Sequence, residues 1–254
     1  MAIQGRVIHA LLMREIIVRF GRGNIGFLWM FLGPMLLIGV ITGFQEIMSV
    51  ENSSNTVPLV PFIVTGWSAM MLWRSTSSMC MNAITLNTPL LYFRNVTTYD
   101  LLFAWMIFEG AAMTVSFVLL VIIFVAFGWI SFPNDLLIIM TGWFLLFIFG
   151  CGLGMILAVI GDIFEPFKRI WGVASFALML ISGTFFMVDW LPTEAQEIVL
   201  WIPMVHGNEM IREGFFEYQV TAHYSLFYMI SVDLLLLFVG LYLVQKKRHL
   251  LGTR

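Results

Sequence analysis

Charged side chains are scarce in this sequence of 254 residues. Asp, Glu, Lys and Arg make up 11% of the chain, whereas soluble domains contain roughly 25%. Hydrophobic residues make up 60%. So little charge cannot cover a folded domain in water, and much of the surface must face another medium. The composition therefore predicts an integral membrane protein.

Several binding and catalytic motifs are absent from the sequence. The net charge of −2, without a basic stripe, argues against a nucleic-acid partner. Two cysteines, Cys80 and Cys151, are too few for a disulfide framework. The four histidines lack metal-ligand spacing, so no metal site is predicted. With three lysines and no GxxxxGK[ST] loop, the chain is predicted to bind no ATP and no other cofactor.

Long stretches between the charges are apolar enough to cross a bilayer, which requires about 20 residues. Such stretches predict six membrane-spanning helices and an all-α fold in a single transmembrane domain, residues 1–254. One of them carries Arg74, another Glu109 and the last Asp233. The predicted spans cover residues 27–44, 58–81, 101–127, 136–160, 167–188 and 224–244.

Basic residues are distributed unequally between the two sides of these spans. If both termini are cytoplasmic, Arg212 is the one basic residue outside, because Arg74 lies within a span. Lys and Arg in short loops stay in the cytoplasm, so this asymmetry predicts cytoplasmic termini. The predicted cytoplasmic residues are Arg6, Arg14, Arg19, Arg22, Arg94, Lys168, Arg169, Lys246, Lys247, Arg248 and Arg254.

The segments outside the spans have recognisable features of their own. Residues 3–21 mix apolar and charged side chains and predict a helix in the cytoplasmic interface, with a short positive-inside anchor as the alternative. Residues 189–223 contain an apolar stretch too short to span, broken at Pro192 and Pro203. One or two short helices, re-entrant from the outside, are expected there.

The cytoplasmic loop at 82–99 contains an apolar cluster after Pro89, including Leu90, Tyr92 and Phe93. Exposed apolar residues on a cytoplasmic loop favour a protein partner. The alternative is that this loop merely lies in the membrane interface.

Charges inside the membrane are costly and are normally paired or face water. Three roles are possible for Arg74, Glu109 and Asp233. They neutralise one another or line a water-filled cavity, they contact a substrate, or they take part in catalysis. Two GxxxG pairs, Gly39–Gly43 and Gly150–Gly154, predict close helix packing within the chain, with a dimer contact as the alternative.

Specific strings give a closer resemblance. The string LLMREIIVRFGRGNIGFLWMFLGP resembles the entry of the membrane subunit of ABC-type polysaccharide exporters, and in particular of capsular polysaccharide permeases. Two later strings are similar to the fourth span with its cytoplasmic exit and to the external re-entrant region of the same family: GCGLGMILAVIGDIFEPFKRI and LWIPMVHGNEMIREGFF. The positions that match its entry signature are Arg14, Glu15, Arg19, Phe20, Gly21, Gly26, Trp29 and Pro34.

The resemblance implies a homodimer in the bacterial inner membrane that exports a lipid-linked polysaccharide. Two separate subunits would bind ATP and Mg²⁺, and periplasmic export proteins would be further partners. The implied ATPase-coupling residues are Arg14, Glu15, Arg19, Asn87, Pro89, Leu90, Tyr92, Phe93 and Arg94. The expected substrate canal residues are Trp73 and Arg74, with Glu109 or Asp233 as counter-charge.

Other functions remain open at this point. The substrate could be an O-antigen, a teichoic acid or another amphiphile such as a drug. A different class is an intramembrane lipid-modifying enzyme with Glu109 and Asp233 as acid and base. A passive scaffold would not depend on ATP. No role is predicted for Asp162.

Overall fold

The computed structural model describes residues 2–20, 36, 40, 58–92, 96–216 and 220–252. Within these ranges the chain is helical, with no strand. Two 3-10 helices, Thr88–Tyr92 and Val188–Trp190, lie in the connections. The α-helices in chain order are α1 Ala2–Phe20, α2 Leu59–Leu86, α3 Thr98–Ala126, α4 Leu136–Ile163, α5 Phe167–Ile181, α6 Thr193–Val199, α7 Pro203–Phe216 and α8 Leu226–Gly252.

Helix α4 is the centre of the described bundle, because α2, α7 and α8 all pack along it. Small residues make this close packing possible. A Cβ atom on Gly150 would lie 3.0 Å from the Cα atom of Trp73, and one on Gly154 would lie 2.9 Å from the Cβ atom of Cys80. The second GxxxG pair therefore packs α4 against α2, as predicted, whereas Gly39–Gly43 lies outside the described residues.

Local sequence defines where the helices begin. Thr97 and Asp100 form a capping box at the start of α3, and the Asp135 carboxylate accepts bonds from Leu137 N (2.8 Å) and Ile138 N (3.1 Å) at the start of α4. Both caps satisfy N–H groups that the first turn of a helix leaves unbonded.

Three described helices are long and apolar enough to cross a membrane: residues 98–126, 136–163 and 226–247. They correspond to the predicted third, fourth and sixth spans. Of the predicted first span the structure describes residues 36 and 40 alone, both helical. The chain is therefore an all-helical protein with apolar segments suited to a bilayer.

The predicted fifth span differs from the structure. A helix was expected over 167–188, but α5 ends at Ile181 and is about 22 Å long, less than the ~30 Å of a bilayer core. Gly183 adopts a φ of +79°, a left-handed conformation that ends the helix. The chain then continues without regular structure to the 3-10 helix at Val188.

The predicted coupling loop at 82–99 also differs, because α2 continues to Leu86 and α3 begins at Thr98. Buried Ala83 and Ile84 keep the last turn of α2 in the core. The Asn87 side chain then donates to Ala83 O (2.9 Å) and its backbone N–H to Ile84 O (3.2 Å). The connection between the helices is thus residues 87–97.

Candidate functional site

Helix α1 lies against the first turns of α3. Leu11, at 8% exposure, contacts the cluster of Leu101 and Ala104, and Leu90 and Leu91 of the first 3-10 helix pack against the same cluster. The helix predicted over residues 3–21 is therefore present as α1, and it contacts the connection that was predicted to couple to a partner.

Two hydrogen bonds fasten α1 in place, and their four residues are called the α1 contact below. Arg14 Nη1 donates to Asn87 Oδ1 at 2.6 Å, and Gln4 Nε2 donates to Asp100 Oδ2 at 3.3 Å. Asn87 is 2% exposed, and its amide N–H is bonded to α2, so its oxygen is oriented toward Arg14. The bond therefore joins α1 to the residue that follows α2.

The remaining coupling candidates surround the α1 contact. Glu15 is 6% exposed in α1, and Leu90 is half-buried. Leu86, Thr88 and Pro89 are exposed at the adjoining turn. Two further groups lie outside the described parts of the chain: the residues Phe93 and Arg94, and the side chains of Arg19 and Tyr92.

The predicted canal residues do not form one group. Trp73 is fully buried, with its ring edge-on to Phe149 at 6.1 Å, and therefore belongs to the core of the subunit. Arg74 Nε donates to Ser175 Oγ of α5 at 3.4 Å, whereas the neighbouring Ser75 donates to the Glu109 carboxylate of α3. Arg74 therefore contacts α5, whereas Ser75 joins α2 to Glu109 of α3.

Asp233 of α8 is 2% exposed. Neither of its carboxylate oxygens has a hydrogen-bond partner among the described residues. Glu109 is also 2% exposed. A substrate would reach either carboxylate only after helices separate, so the geometry does not favour the lipid-modifying enzyme with these two residues as acid and base.

A buried polar group on α7 was not predicted from the sequence, and its residues His206, Asn208, Glu209 and Arg212 are called the α7 cluster below. Arg212, used above only to count charges, is fully buried. Its guanidinium donates to Phe186 O (2.5 Å) and Thr184 O (2.8 Å) and lies 4.0 Å above the Phe62 ring. In the sequence, Asn208 and Glu209 lie four and three residues before Arg212, which places an amide and two opposite charges on one helical face. This spacing is the sequence pattern that could have indicated the cluster.

Glu209 pairs with Arg212 at 4.0 Å and accepts backbone bonds from Val188 N and His223 N, each 3.2 Å. Burial raises the pKa of Glu209, while the Arg212 charge acts in the opposite direction. Burial lowers the pKa of Arg212 to about 10, so it remains charged at neutral pH. Asn208 Nδ2 donates to Ser182 O at 2.6 Å.

These bonds explain why α5 can end early. Backbone groups of an irregular segment at membrane depth must be satisfied by protein, since lipid offers no partners. The α7 cluster supplies donors to the carbonyls of residues 182, 184 and 186 and an acceptor to the N–H of residue 188. The segment 182–188 is therefore held by side chains of α7.

His206 joins α7 to the beginning of α8. Its Nδ1 accepts from Ser225 N at 3.0 Å, so its Nε2 carries the proton and donates to Leu200 O at 2.8 Å. Burial lowers the pKa of His206, which favours this neutral form. Its ring lies 5.0 Å from that of Tyr228, whose hydroxyl donates to Trp201 O at 2.7 Å.

Helix α7 lies close to α2 and α4. A Cβ atom on Gly142 of α4 would lie 2.9 Å from the Cβ atom of Met210. One on Gly66 of α2 would lie 2.5 Å from Thr184 O and 2.8 Å from Arg212 Nη2. Gly142 is about two turns inside α4, so α7 lies beside the body of the bundle rather than above its end.

At the opposite end of the bundle, Lys247 of α8 forms an ion pair with Asp162 of α4. Lys168 Nζ donates to Thr85 Oγ1 of α2 at 2.8 Å. Asp162, for which the sequence predicted no role, thus fastens α8 to α4.

Comparison with known proteins defines the class to which this arrangement belongs. The family model described as ABC-2 type transporter matches residues 6–216, which include the α7 cluster and three residues of the α1 contact, Arg14, Asn87 and Asp100. The chain therefore belongs to the ABC-2 type transporter family.

Individual relatives extend the similarity to nearly the whole chain. The chain is 42% identical to the capsule polysaccharide export inner-membrane protein BexB of Haemophilus influenzae, over 96% of this chain and 92% of that protein. It is 43% identical to the capsule polysaccharide export inner-membrane protein CtrC of Neisseria meningitidis serogroup B, over 97% of this chain and 92% of that protein. It is 29% identical to the polysialic acid transport protein KpsM of Escherichia coli, over 99% of this chain and 97% of that protein. The resemblance drawn from the sequence is confirmed.

Proposed function

We propose that the chain is the inner-membrane permease of an ATP-driven exporter that moves a lipid-linked capsular polysaccharide out of the cell. The observation that carries this proposal is the 42% identity to a capsule export protein over 96% of the chain. The similarity to a polysialic acid transport protein supports an acidic polymer as substrate. The assembly is a homodimer with two subunits that bind ATP and Mg²⁺, and periplasmic export proteins continue the pathway.

In this proposal six helices cross the membrane, with both termini in the cytoplasm. Three apolar helices support the topology, as does the strongly unequal distribution of basic residues. The fifth crossing combines the short α5 with residues 182–190. Helices α6 and α7 then re-enter from outside, supported by the position of α7 beside Gly142 and Leu146 of α4.

The exposed turn around Pro89, beside the α1 contact, is the surface that receives the ATPase. Arg14 of the α1 contact, with Glu15, Arg19, Phe93 and Arg94, completes the set of proposed coupling residues. The bond between Arg14 and Asn87 supports this assignment, because it joins the surface helix to a transmembrane helix. Closure of the ATPase would then shift the spans as rigid bodies.

Arg74 remains the proposed contact for an anionic part of the substrate. Its side-chain bond to Ser175, at 3.4 Å, is long and can be exchanged for a stronger charge-assisted bond. Replacement of Arg74 by Ala should reduce export while leaving the protein in the membrane. Normal export by this variant would exclude the role.

Deletion of the gene tests the proposed function. The expected result is accumulation of lipid-linked polysaccharide inside the cell and its loss from the surface, measured by polymer extraction and surface staining. Complementation with the intact gene is the control. Loss of polymer from both locations would instead indicate a role in synthesis, and an unchanged surface would exclude capsule export.

A further inference from the structure

A deep apolar groove lies between α3 and α4, away from the α1 contact, the α7 cluster and Arg74. Its volume is about 630 Å³, within the range of pockets that hold small ligands. Both helices are candidate membrane spans, and the groove residues Met140 and Phe144 are 70% and 60% exposed, so the groove is open at the surface of the described chain. Residues of both helices line it, together with one of α7, and they include Ala111, Thr114, Val118, Met140, Phe144 and Phe215.

The groove wall offers no free polar group to a ligand. Thr114 Oγ1 donates to Gly110 O at 2.7 Å and accepts from Trp143 Nε1 at 2.9 Å, so the hydroxyl and the indole satisfy each other. The Trp143 ring also stacks on Phe117 at 4.4 Å. A preformed wall of this kind is complementary to a hydrocarbon chain and not to a sugar.

The mouth of the groove is acidic. Asp135 is exposed and directly precedes Leu136, which lines the groove. Its backbone N–H donates to Gly214 O of α7 at 2.9 Å, which joins this end of α4 to α7. Between Arg94 and Lys168 the sequence contains neither Lys nor Arg. A headgroup at this mouth therefore meets negative charge, which favours an amine and disfavours a net anion.

We propose that this groove binds one acyl chain of a bilayer phospholipid whose headgroup carries an amine, in the outer leaflet. The assignment of the site to the outer leaflet depends on the proposed topology, whereas the presence of the groove does not. The bound chain fills the space that α3 and α4 leave between them and supplies the packing contacts that an empty groove would lack.

Two variants of α3 test the site as a matched pair. Val118 lines the groove and is 47% exposed. Val115, three residues earlier, is 51% exposed but does not line the groove. Val118→Trp places a large ring in the groove, whereas Val115→Trp places the same ring toward lipid. The full-length protein is isolated in mild detergent from cells that make no polymer, with any subunits that accompany it. Native mass spectrometry then counts phospholipids after addition of equal phosphatidylethanolamine and phosphatidylglycerol.

We expect the parent and Val115→Trp to retain one phosphatidylethanolamine and Val118→Trp to lose it. Equal retention by the two Trp variants, equal loss, or no retained lipid in the parent would overturn the proposal. Lipid retained only in polymer-producing cells would identify the substrate anchor as occupant and would also overturn it. Thermal unfolding of both variants verifies that each is folded.

A separate variant tests the headgroup preference. Asp135→Asn keeps an N-cap residue for α4 but removes its charge. An exposed charge pair contributes about 0.2–1 kcal/mol, so the preference for phosphatidylethanolamine should fall by about 1.4-fold to 5-fold. A parent that prefers phosphatidylglycerol would overturn this part of the proposal. None of these measurements depends on export, so a failure of the proposed function would be seen separately, in the deletion strain.

Discussion

The α7 cluster and the α1 contact hold irregular connections in place by different means. The α7 cluster is buried and contains an ion pair, with at least five bonds to backbone groups of residues 182–188 and 223. The α1 contact consists of two side-chain bonds beside a small apolar cluster. Its neighbours Leu86 and Pro89 are exposed.

This difference separates a structural role from an interaction role. Each side chain of the α7 cluster has at least one hydrogen-bond partner within the chain, and disruption of the cluster leaves buried charge unpaired. The α1 contact leaves an exposed turn beside the junction of α1 with the end of α2 and the start of α3. We therefore expect changes at α7 to alter folding and changes at α1 to alter communication with a partner. Four substitutions test this contrast.

The largest effect is expected for Arg212→Ala. The substitution leaves the Glu209 carboxylate buried without its counter-charge, and breaking a buried pair in this way costs about 3–5 kcal/mol. We expect little folded protein, measured as yield and unfolding temperature in detergent. The double variant Arg212→Met with Glu209→Gln removes both charges and should be more stable than Arg212→Ala. An Arg212→Ala protein of normal stability would contradict the structural role of the cluster.

The next effect is expected for Gly66→Ala. The new Cβ atom would lie 2.5 Å from the backbone oxygen of Thr184, which cannot move independently of the α7 cluster. Overpacking of this kind costs about 1–3 kcal/mol. Gly172→Ala in α5 is the control, because nothing lies within 4 Å of its Cβ position and the helix should be unaffected or stabilised. Similar unfolding temperatures for the two variants would exclude the close approach.

A smaller effect concerns pH. Burial lowers the pKa of His206 from its ordinary value of 6.5, so the unfolded chain binds this proton more readily than the folded one. The stability that His206 contributes is therefore present above about pH 6.5 and lost as the pH falls toward its folded pKa. The expected loss is at most about 1.4 kcal/mol per pH unit.

Unfolding temperatures between pH 7.5 and 5.5 measure this dependence. His206→Gln should reduce the decline on acidification, whereas His9→Gln, on the exposed surface of α1, should leave it unchanged. A decline that is identical in the parent and in His206→Gln would assign the pH response to other groups.

The smallest effect on stability is expected for Arg14→Ala. The lost bond joins an exposed side chain to Asn87, and a net contribution of about 0.5–1.5 kcal/mol is typical. Under the proposed function, export and ATPase stimulation should nevertheless fall clearly. The double variant Tyr92→Ala with Phe93→Ala should stay inserted and lose its ATPase. Unchanged co-purification and ATPase activity in both variants would contradict the coupling role.

Sequence patterns were most informative where the environment of a segment is uniform. Spans three, four and six are continuous apolar runs, and their predicted positions agree closely with α3, α4 and α8. The run over 170–188 also contains no charged residue, yet its helix ends at Ile181. Hydropathy reports the preference of a segment for lipid, but it does not report hydrogen-bond donors from a distant helix, which stabilise the break.

Individual site residues show the same limit. Arg14 was selected from a family resemblance, and the structure adds its partner Asn87, 73 residues away. Trp73 and Arg74 are adjacent in sequence, but one is in the core and the other contacts α5. Successive residues on a helix point in directions about 100° apart, so adjacency in sequence does not place two side chains in one cavity.

By itself, the sequence determined the membrane environment, the main apolar helices, the surface helix α1 and the family, because composition and short motifs are local properties. Tertiary structure decided which polar residues are buried together. Arg212, Glu209 and the carbonyls of 182–186 meet only when α7 lies against α2 and α4. The favourable energy of those contacts arises from burial, and burial is a property of the folded chain.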